Sequence, residues 1–144
     1  MDREQQGGQK VLIVDDEEFM REALSILLEE EGFTTLTAEN GARALQLLRG
    51  GERPHLILLD QMMPVMTGKE FRRQQSKDPA LASIPVVIFT GSDYDRKASF
   101  TGVAGYVRKP IDFDKLLGTI RQVCGFANPV RRPVPEDAIM PQGL

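Results

Sequence analysis

The sequence predicts an α/β protein built on a doubly wound parallel sheet of five strands. Two observations carry that prediction. Short, continuously apolar runs such as Val11-Leu12-Ile13-Val14 and Leu56-Ile57-Leu58-Leu59 recur along the chain, as strands buried on both faces require. Between them lie stretches with apolar residues at helical spacing, so strand and helix alternate. A third observation is chemical. The first apolar run ends in Asp15-Asp16 and the third in Asp60, which places carboxylates where buried strands stop.

The elements follow in order. A strand over about Lys10 to Val14 leads to Met20, Ala23, Leu24, Leu27 and Leu28, one helix stripe ended by Gly32. Phe33 to Ala38 reads as the second strand. Asn40 caps a helix whose Ala44, Leu45 and Leu48 face inward, stopped by Gly50-Gly51. The third strand is Leu56 to Leu59, followed by a loop over Gln61 to Thr67 and a helix from about Gly68 to Lys77. That helix is unusual: the inward positions after Phe71 are Gln74 and Gln75, where apolar residues normally pack, so either it is displaced and weakly packed, the favoured expectation, or that face meets a partner. Strand four is Val86 to Phe89 and strand five Val103 to Val107, with room for only a short fourth helix over Asp93 to Phe100. The last helix carries Phe113, Leu116, Leu117 and Ile120, with Asp112 as its N-cap. No repeat of solenoid period occurs.

Composition bounds the function. With 144 residues, 41% apolar and 27% charged, the chain reads as one soluble domain with a real core. A net charge of −3 gives no reason to expect nucleic acid or an anionic membrane as a partner. One cysteine, Cys124, excludes an intrachain disulfide and fits a reducing cytoplasm. The single histidine, His55, excludes catalytic triads and multi-histidine zinc sites, and reads as a polar lead into the third strand. Residues 1–9 are polar with no signal-peptide core, and no apolar stretch approaches a membrane span. From Phe126 onward Pro129, Pro133, Pro135 and Pro141 break the pattern. Residues 126–144 read as a proline-rich tail or linker stub, with Arg131-Arg132 as a solvated pair.

In a doubly wound sheet, function collects at the carboxyl ends of the strands. Strands one and three bring Asp15, Asp16 and Asp60 to that edge, strand four ends in Thr90, and strand five leads into Lys109-Pro110. Alone, each is ordinary: an Asp-Asp pair is a turn or helix cap, Thr90 a strand end, Lys109 a surface lysine. Together, three carboxylates crowded at one edge resist joint ionisation and call for a cation. Their hard oxygens suit Mg²⁺, with Mn²⁺ as a substitute. Glu17 and Glu18 serve the helix macrodipole instead, and Met62, Met63 and Met66 pack the loop. No histidine or cysteine nucleophile is available among these groups. A carboxylate can itself attack phosphorus to form an aspartyl phosphate, with the ion, Lys109 and Thr90 neutralising the equatorial oxygens.

The residues Val11-Leu12-Ile13-Val14-Asp15-Asp16-Glu17, Leu58-Leu59-Asp60-Gln61-Met62-Met63-Pro64, Met66-Thr67-Gly68, Phe89-Thr90-Gly91 and Gly105-Tyr106-Val107-Arg108-Lys109-Pro110, all in order, resemble the receiver domain of two-component response regulators over about Lys10 to Gly125. The resemblance implies a flavodoxin-like sheet of order 2-1-3-4-5 with helices on both faces, over residues 10–125. It implies that Asp60 accepts a phosphoryl group from a histidine kinase or phosphotransfer protein. Asp16 would hold Mg²⁺ directly, Asp15 partly through water, and the backbone carbonyl of Met62 would complete the site. Lys109 and Thr90 would engage the phosphoryl oxygens, Tyr106 would be the aromatic switch, and the Lys109-Pro110 bond would be cis. The chain is then a cytoplasmic switch rather than an enzyme in its own right. It would act on a downstream protein through the 94–124 face, as a monomer or a phosphorylation-dependent dimer. The segment from Thr90 to Lys109 is a few residues shorter than is usual in the family, so that face is expected to be remodelled.

Three other readings compete. The chain is a fragment of a larger response regulator, or a metal-dependent phosphohydrolase, or a flavodoxin-like cofactor module. Phosphohydrolases of the aspartyl type place the nucleophile on the first strand and add a cap, and no segment here is long enough for one. The cofactor module lacks its phosphate loop after strand one.

Overall fold

The computed structural model describes residues 9–61, 63, 65–90 and 103–124. Nine elements occur in these residues: β1 (Lys10–Val14), α1 (Glu18–Glu30), β2 (Thr34–Ala38), α2 (Gly41–Arg49), β3 (Leu56–Asp60), α3 (Gly68–Ser76), β4 (Val86–Thr90), β5 (Gly105–Arg108) and α4 (Phe113–Cys124). The strands form one parallel sheet in the order β2-β1-β3-β4-β5, as the resemblance implies. The expected helix over 93–100, the 1–9 lead up to residue 8 and the 126–144 tail lie outside the described residues.

Alternation along each strand sorts side chains onto two faces. Val11, Ile13, Leu56, Leu58, Val87, Phe89 and Val107 meet α1 and α4 on one face. Leu12, Val14, Ile57, Leu59, Val86 and Ile88 meet α2 and α3 on the other. The central strand residues are fully buried, each large one contributing roughly 1.5–3 kcal/mol relative to exposure. Two filled faces leave the strand ends as the remaining place for polar chemistry.

Element ends depart from the sequence reading by one or two residues. Phe33 lies before β2: its N–H donates to Leu28 O at 3.1 Å after Gly32 turns the chain with φ 97°. Its ring then closes the end of α1 against the core. β5 begins at Gly105, not Val103, because its register pairs Gly105 with Val87 and Thr90 with Arg108. Asn40 Oδ1 accepts from Arg43 N at 2.8 Å and Asp112 Oδ1 from Asp114 N at 3.0 Å, capping α2 and α4.

α3 corrects the expectation of weak packing. Phe71 and Gln75 are both fully buried against the sheet. Gln75 Nε2 donates to Leu81 O at 2.9 Å and to Ile84 O at 3.1 Å. The amide thus replaces an apolar contact by tying down the chain that enters β4. Thr67 caps the helix, its Oγ1 accepting from Glu70 N at 3.1 Å. Its neighbour Gly68 packs so tightly on the end of β3 that a Cβ there would stand 3.0 Å from Asp60 O.

Candidate functional site

Register brings the acidic residues together. Val14 of β1 lies opposite Leu59 of β3, so the next residues, Asp15 and Asp60, stand side by side at the carboxyl edge of the sheet. Asp15 N still bonds Ala38 O of β2 at 3.2 Å, and Gln61 N bonds Phe89 O of β4 at 3.2 Å. Both carboxylates therefore hang from paired backbone. One ligand oxygen each from Asp15, Asp16 and Asp60 falls within 4.8 Å of the others. Asp15 and Asp60 are buried, while Asp16 is exposed.

Lys109 closes the pocket from β5. Its Nζ donates to Asp60 Oδ1 at 3.2 Å and lies 5.3 Å from the centre of the Phe89 ring. Phe89 pairs with Asp60 across β3 and β4, so the ring supports the ammonium beside the carboxylate it neutralises. The Lys109-Pro110 peptide is cis.

The electrostatics carry the mark of a cation site. Asp15 Oδ1 accepts from Glu17 N at 2.8 Å, whereas Oδ2 is buried with no hydrogen-bond partner. Burial pushes the Asp15 carboxyl up to about 6, helped by the charges of Asp60 and Asp16 and opposed by the Glu17 N–H and Lys109. An orphaned buried carboxylate oxygen facing two more carboxylates is satisfied by a divalent ion, and three hard oxygens match Mg²⁺. The residues present fit the metal.

The remaining candidates are placed as follows. Thr90 closes β4 at the same edge; its side chain lies outside the described residues, as does Met62 and hence its carbonyl. Tyr106, opposite Ile88 in register, is half-buried and packs against the α2–α3 face. Three contributors escaped sequence reading. Arg21 Nη1 donates to Asp15 O at 2.8 Å, clamping the turn that presents the pair. Phe89 lies under the Lys109 ammonium, and Gly68 makes the close approach to Asp60 O. Gly68 had a signal in its place within the Met66-Thr67-Gly68 motif, whereas the Arg21 clamp had none.

Residues 11–121 match the family described as response regulator receiver domain. Protein PilH of Pseudomonas aeruginosa is 37% identical over 117 residues, covering 79% of this chain and 96% of that protein. The phosphate regulon transcriptional regulatory protein PhoB of the same organism is 33% identical over 137 residues; the chain spans 57% of its length. Among solved structures, response regulator protein TrrA of Thermotoga maritima, in complex with Mg(2+)-BeF, is 32% identical with a TM-score of 0.72. That match covers 80% of this chain and 98% of TrrA. Chemotaxis response regulator CheY4 of Vibrio cholerae is 31% identical with a TM-score of 0.73, over 80% and 98% of the two chains.

Proposed function

The chain belongs to the response regulator receiver domain family, and from that premise we propose that it is a magnesium-dependent switch in which Asp60 is the phosphoacceptor. The observation that carries the reading is the triad Asp15, Asp16 and Asp60 with ligand oxygens within 4.8 Å, backed by Lys109 at 3.2 Å from Asp60. Receiver domains take phosphate from histidine kinases and act on downstream partners. The donor here is a histidine kinase or a phosphotransfer protein, and the output is a protein contact through the 94–124 face.

Asp16 and Asp15 would hold Mg²⁺ together with Asp60, and the Met62 carbonyl would complete the set; Mn²⁺ would substitute. When bound, the ion supplies charge neutralisation for the incoming phosphoryl oxygens. One Asp60 carboxylate oxygen forms the new bond to phosphorus while the bond to the donor's imidazole nitrogen breaks, its electron pair staying on that ring. Lys109, paired with Asp60 at rest, transfers its hydrogen bond to a phosphoryl oxygen. Thr90 donates to another, and Tyr106 repacks as that hydroxyl moves.

Phosphorylation adds roughly −2 charge and strong acceptors at Asp60. Shifting a two-state equilibrium from 1:99 to 99:1 takes about 5.5 kcal/mol, within reach of a few charge-assisted bonds of about 1.5–3 kcal/mol each. The domain acts as a phosphoacceptor and assists only its own phosphorylation and dephosphorylation. On this reading the receiver unit covers residues 10–125, flanked by 1–9 and 126–144, and works in the cytoplasm. Among the described residues no helix is long and apolar enough to cross a membrane.

The test uses mass spectrometry after incubation with Mg²⁺ and a small-molecule phosphodonor. One phosphoryl group on the native chain and none on Asp60→Ala is expected. Equal uptake by both, or no uptake by the native chain, sinks the assignment.

A further inference from the structure

Helix α1 carries a surface that the phosphoacceptor site does not use. Phe19 is 81% exposed and Ile26 57% exposed, and their seven-residue spacing stacks them on one side of the helix. Glu18, Glu22, Glu29 and Glu30 are exposed around them. Glu29 is engaged by Thr35 Oγ1, whereas among the described residues no cation pairs with Glu18, Glu22 or Glu30. The result is an apolar stripe inside an anionic field. Like charge opposes a second α1 from another copy, and it repels nucleic acid and anionic lipid. The face suits a segment with apolar residues and positive charge.

Such a segment exists in the same chain. Residues 126–134 contain Phe126, Val130, Arg131, Arg132 and Val134 and no acidic residue. Their point of departure is known. α4 ends at Cys124, whose carbonyl accepts from Gln9 Nε2 at 3.2 Å, and Arg121 pairs with Glu31 at 3.1 Å just past the end of α1. The chain therefore leaves the domain beside the C-terminal end of α1. That 13-residue helix is about 20 Å long at about 1.5 Å per residue. An extended stretch from residue 125 to 132 covers roughly 25 Å, which carries the two arginines to the level of Glu18 and Glu22.

We propose that the segment 126–134 folds back along α1 of its own chain, laying Phe126 and Val130 on the Ile26–Phe19 stripe and Arg131 and Arg132 against Glu18 and Glu22. This gives the arginine pair a partner in place of the solvated state expected from sequence.

The test attaches a nitroxide to a Val134→Cys variant of the 144-residue chain and reads amide line broadening by NMR. Cys124 is buried and its thiol is pushed up to about 11 by that burial, so the label goes to the new cysteine. Broadening strongest at the amides of Glu17, Glu18, Phe19 and Glu22, and fading toward Ile26, is expected. It should fall severalfold in Arg131→Glu/Arg132→Glu, and likewise when salt rises from about 0.1 M to about 1 M, where the screening length shrinks from about 10 Å to about 3 Å. Absent broadening, broadening spread evenly over the surface, or insensitivity to charge reversal overturns the proposal. Broadening seen only when labelled and unlabelled chains are mixed overturns it in favour of contact between copies. None of these readouts depends on phosphorylation, so the outcome is separate from that of the phosphoacceptor assignment.

Discussion

Gly68 lies so close to Asp60 that a Cβ on the glycine would stand 3.0 Å from the aspartate carbonyl, with Gln61 Cα at 3.2 Å. The contact is backbone on backbone, so no flexible side chain can yield. The first turn of α3 and the end of β3 are thereby held together, and with them the loop that leaves Asp60.

Gly68→Ala is accordingly expected to destabilise the domain by about 1–3 kcal/mol, the usual cost of forcing a methyl into a packed contact. Urea denaturation measures it. If the loop also shifts, magnesium affinity falls in parallel; an unchanged midpoint removes the glycine from the site's architecture.

Asp15 makes stability depend on pH in an unusual direction. Its carboxyl titrates at about 6 in the folded metal-free protein, against about 3.9 in an unfolded chain. Below about pH 4 both states hold the proton and there is no penalty. Between about 4 and 6 the unfolded chain releases it first, so the folded state loses roughly 2–3 kcal/mol, in full above pH 6. Asp15→Asn is expected to be the more stable protein at neutral pH without metal, with the advantage vanishing near pH 4. Denaturation across that range checks it.

Magnesium should reverse that order. An ion bound only by the folded state stabilises by mass action, so the native chain gains stability with Mg²⁺ while Asp15→Asn gains far less. Chelation with EDTA should return the native chain to its lower value. A native chain whose midpoint ignores Mg²⁺ contradicts the site.

Lys109→Met removes the cation 3.2 Å from the buried Asp60 carboxylate. Lysine here is one-third exposed, so the loss is set at about 1–3 kcal/mol, below that of a fully buried pair. The variant should fold, bind Mg²⁺ at least as well as the native chain, and take up phosphoryl groups more slowly. Time-resolved mass spectrometry separates slow uptake from none.

Gln75→Leu is close in size yet takes the donor from Ile84 O and leaves Leu81 O with the Ile84 N–H alone. One part-buried carbonyl stripped of its hydrogen bond, and a buried one left with a single donor, are expected to cost about 1–3 kcal/mol. Faster amide exchange should be confined to the turn over residues 78–84. Leucine matching glutamine in stability would refute the role assigned to the amide.

Gln75 also marks where sequence reading ended. Strands β1, β3 and β4 were legible because they are buried on both faces and carry no polar residue between their ends, and helices α1, α2 and α4 because their stripes repeat at 3.6 residues. A glutamine at an inward position looks like a packing fault in that language. What satisfies it lies six and nine residues away, in carbonyls whose orientation follows only from the folded turn. The same holds for Arg21, whose guanidinium finds a backbone oxygen no side-chain pattern announces.

The three carboxylates were visible in one dimension as strand-end residues, and their chemistry followed from residue type. Amino-acid order alone thus determined a layered parallel sheet with an acidic edge, because burial and alternation are local properties of the chain. Only three-dimensional packing decided that Asp15 keeps one oxygen without a partner, that Lys109 rests between Asp60 and the Phe89 ring, and that α1 turns Phe19 and Ile26 to solvent. Those facts depend on distances between segments far apart in the chain, which burial patterns cannot encode.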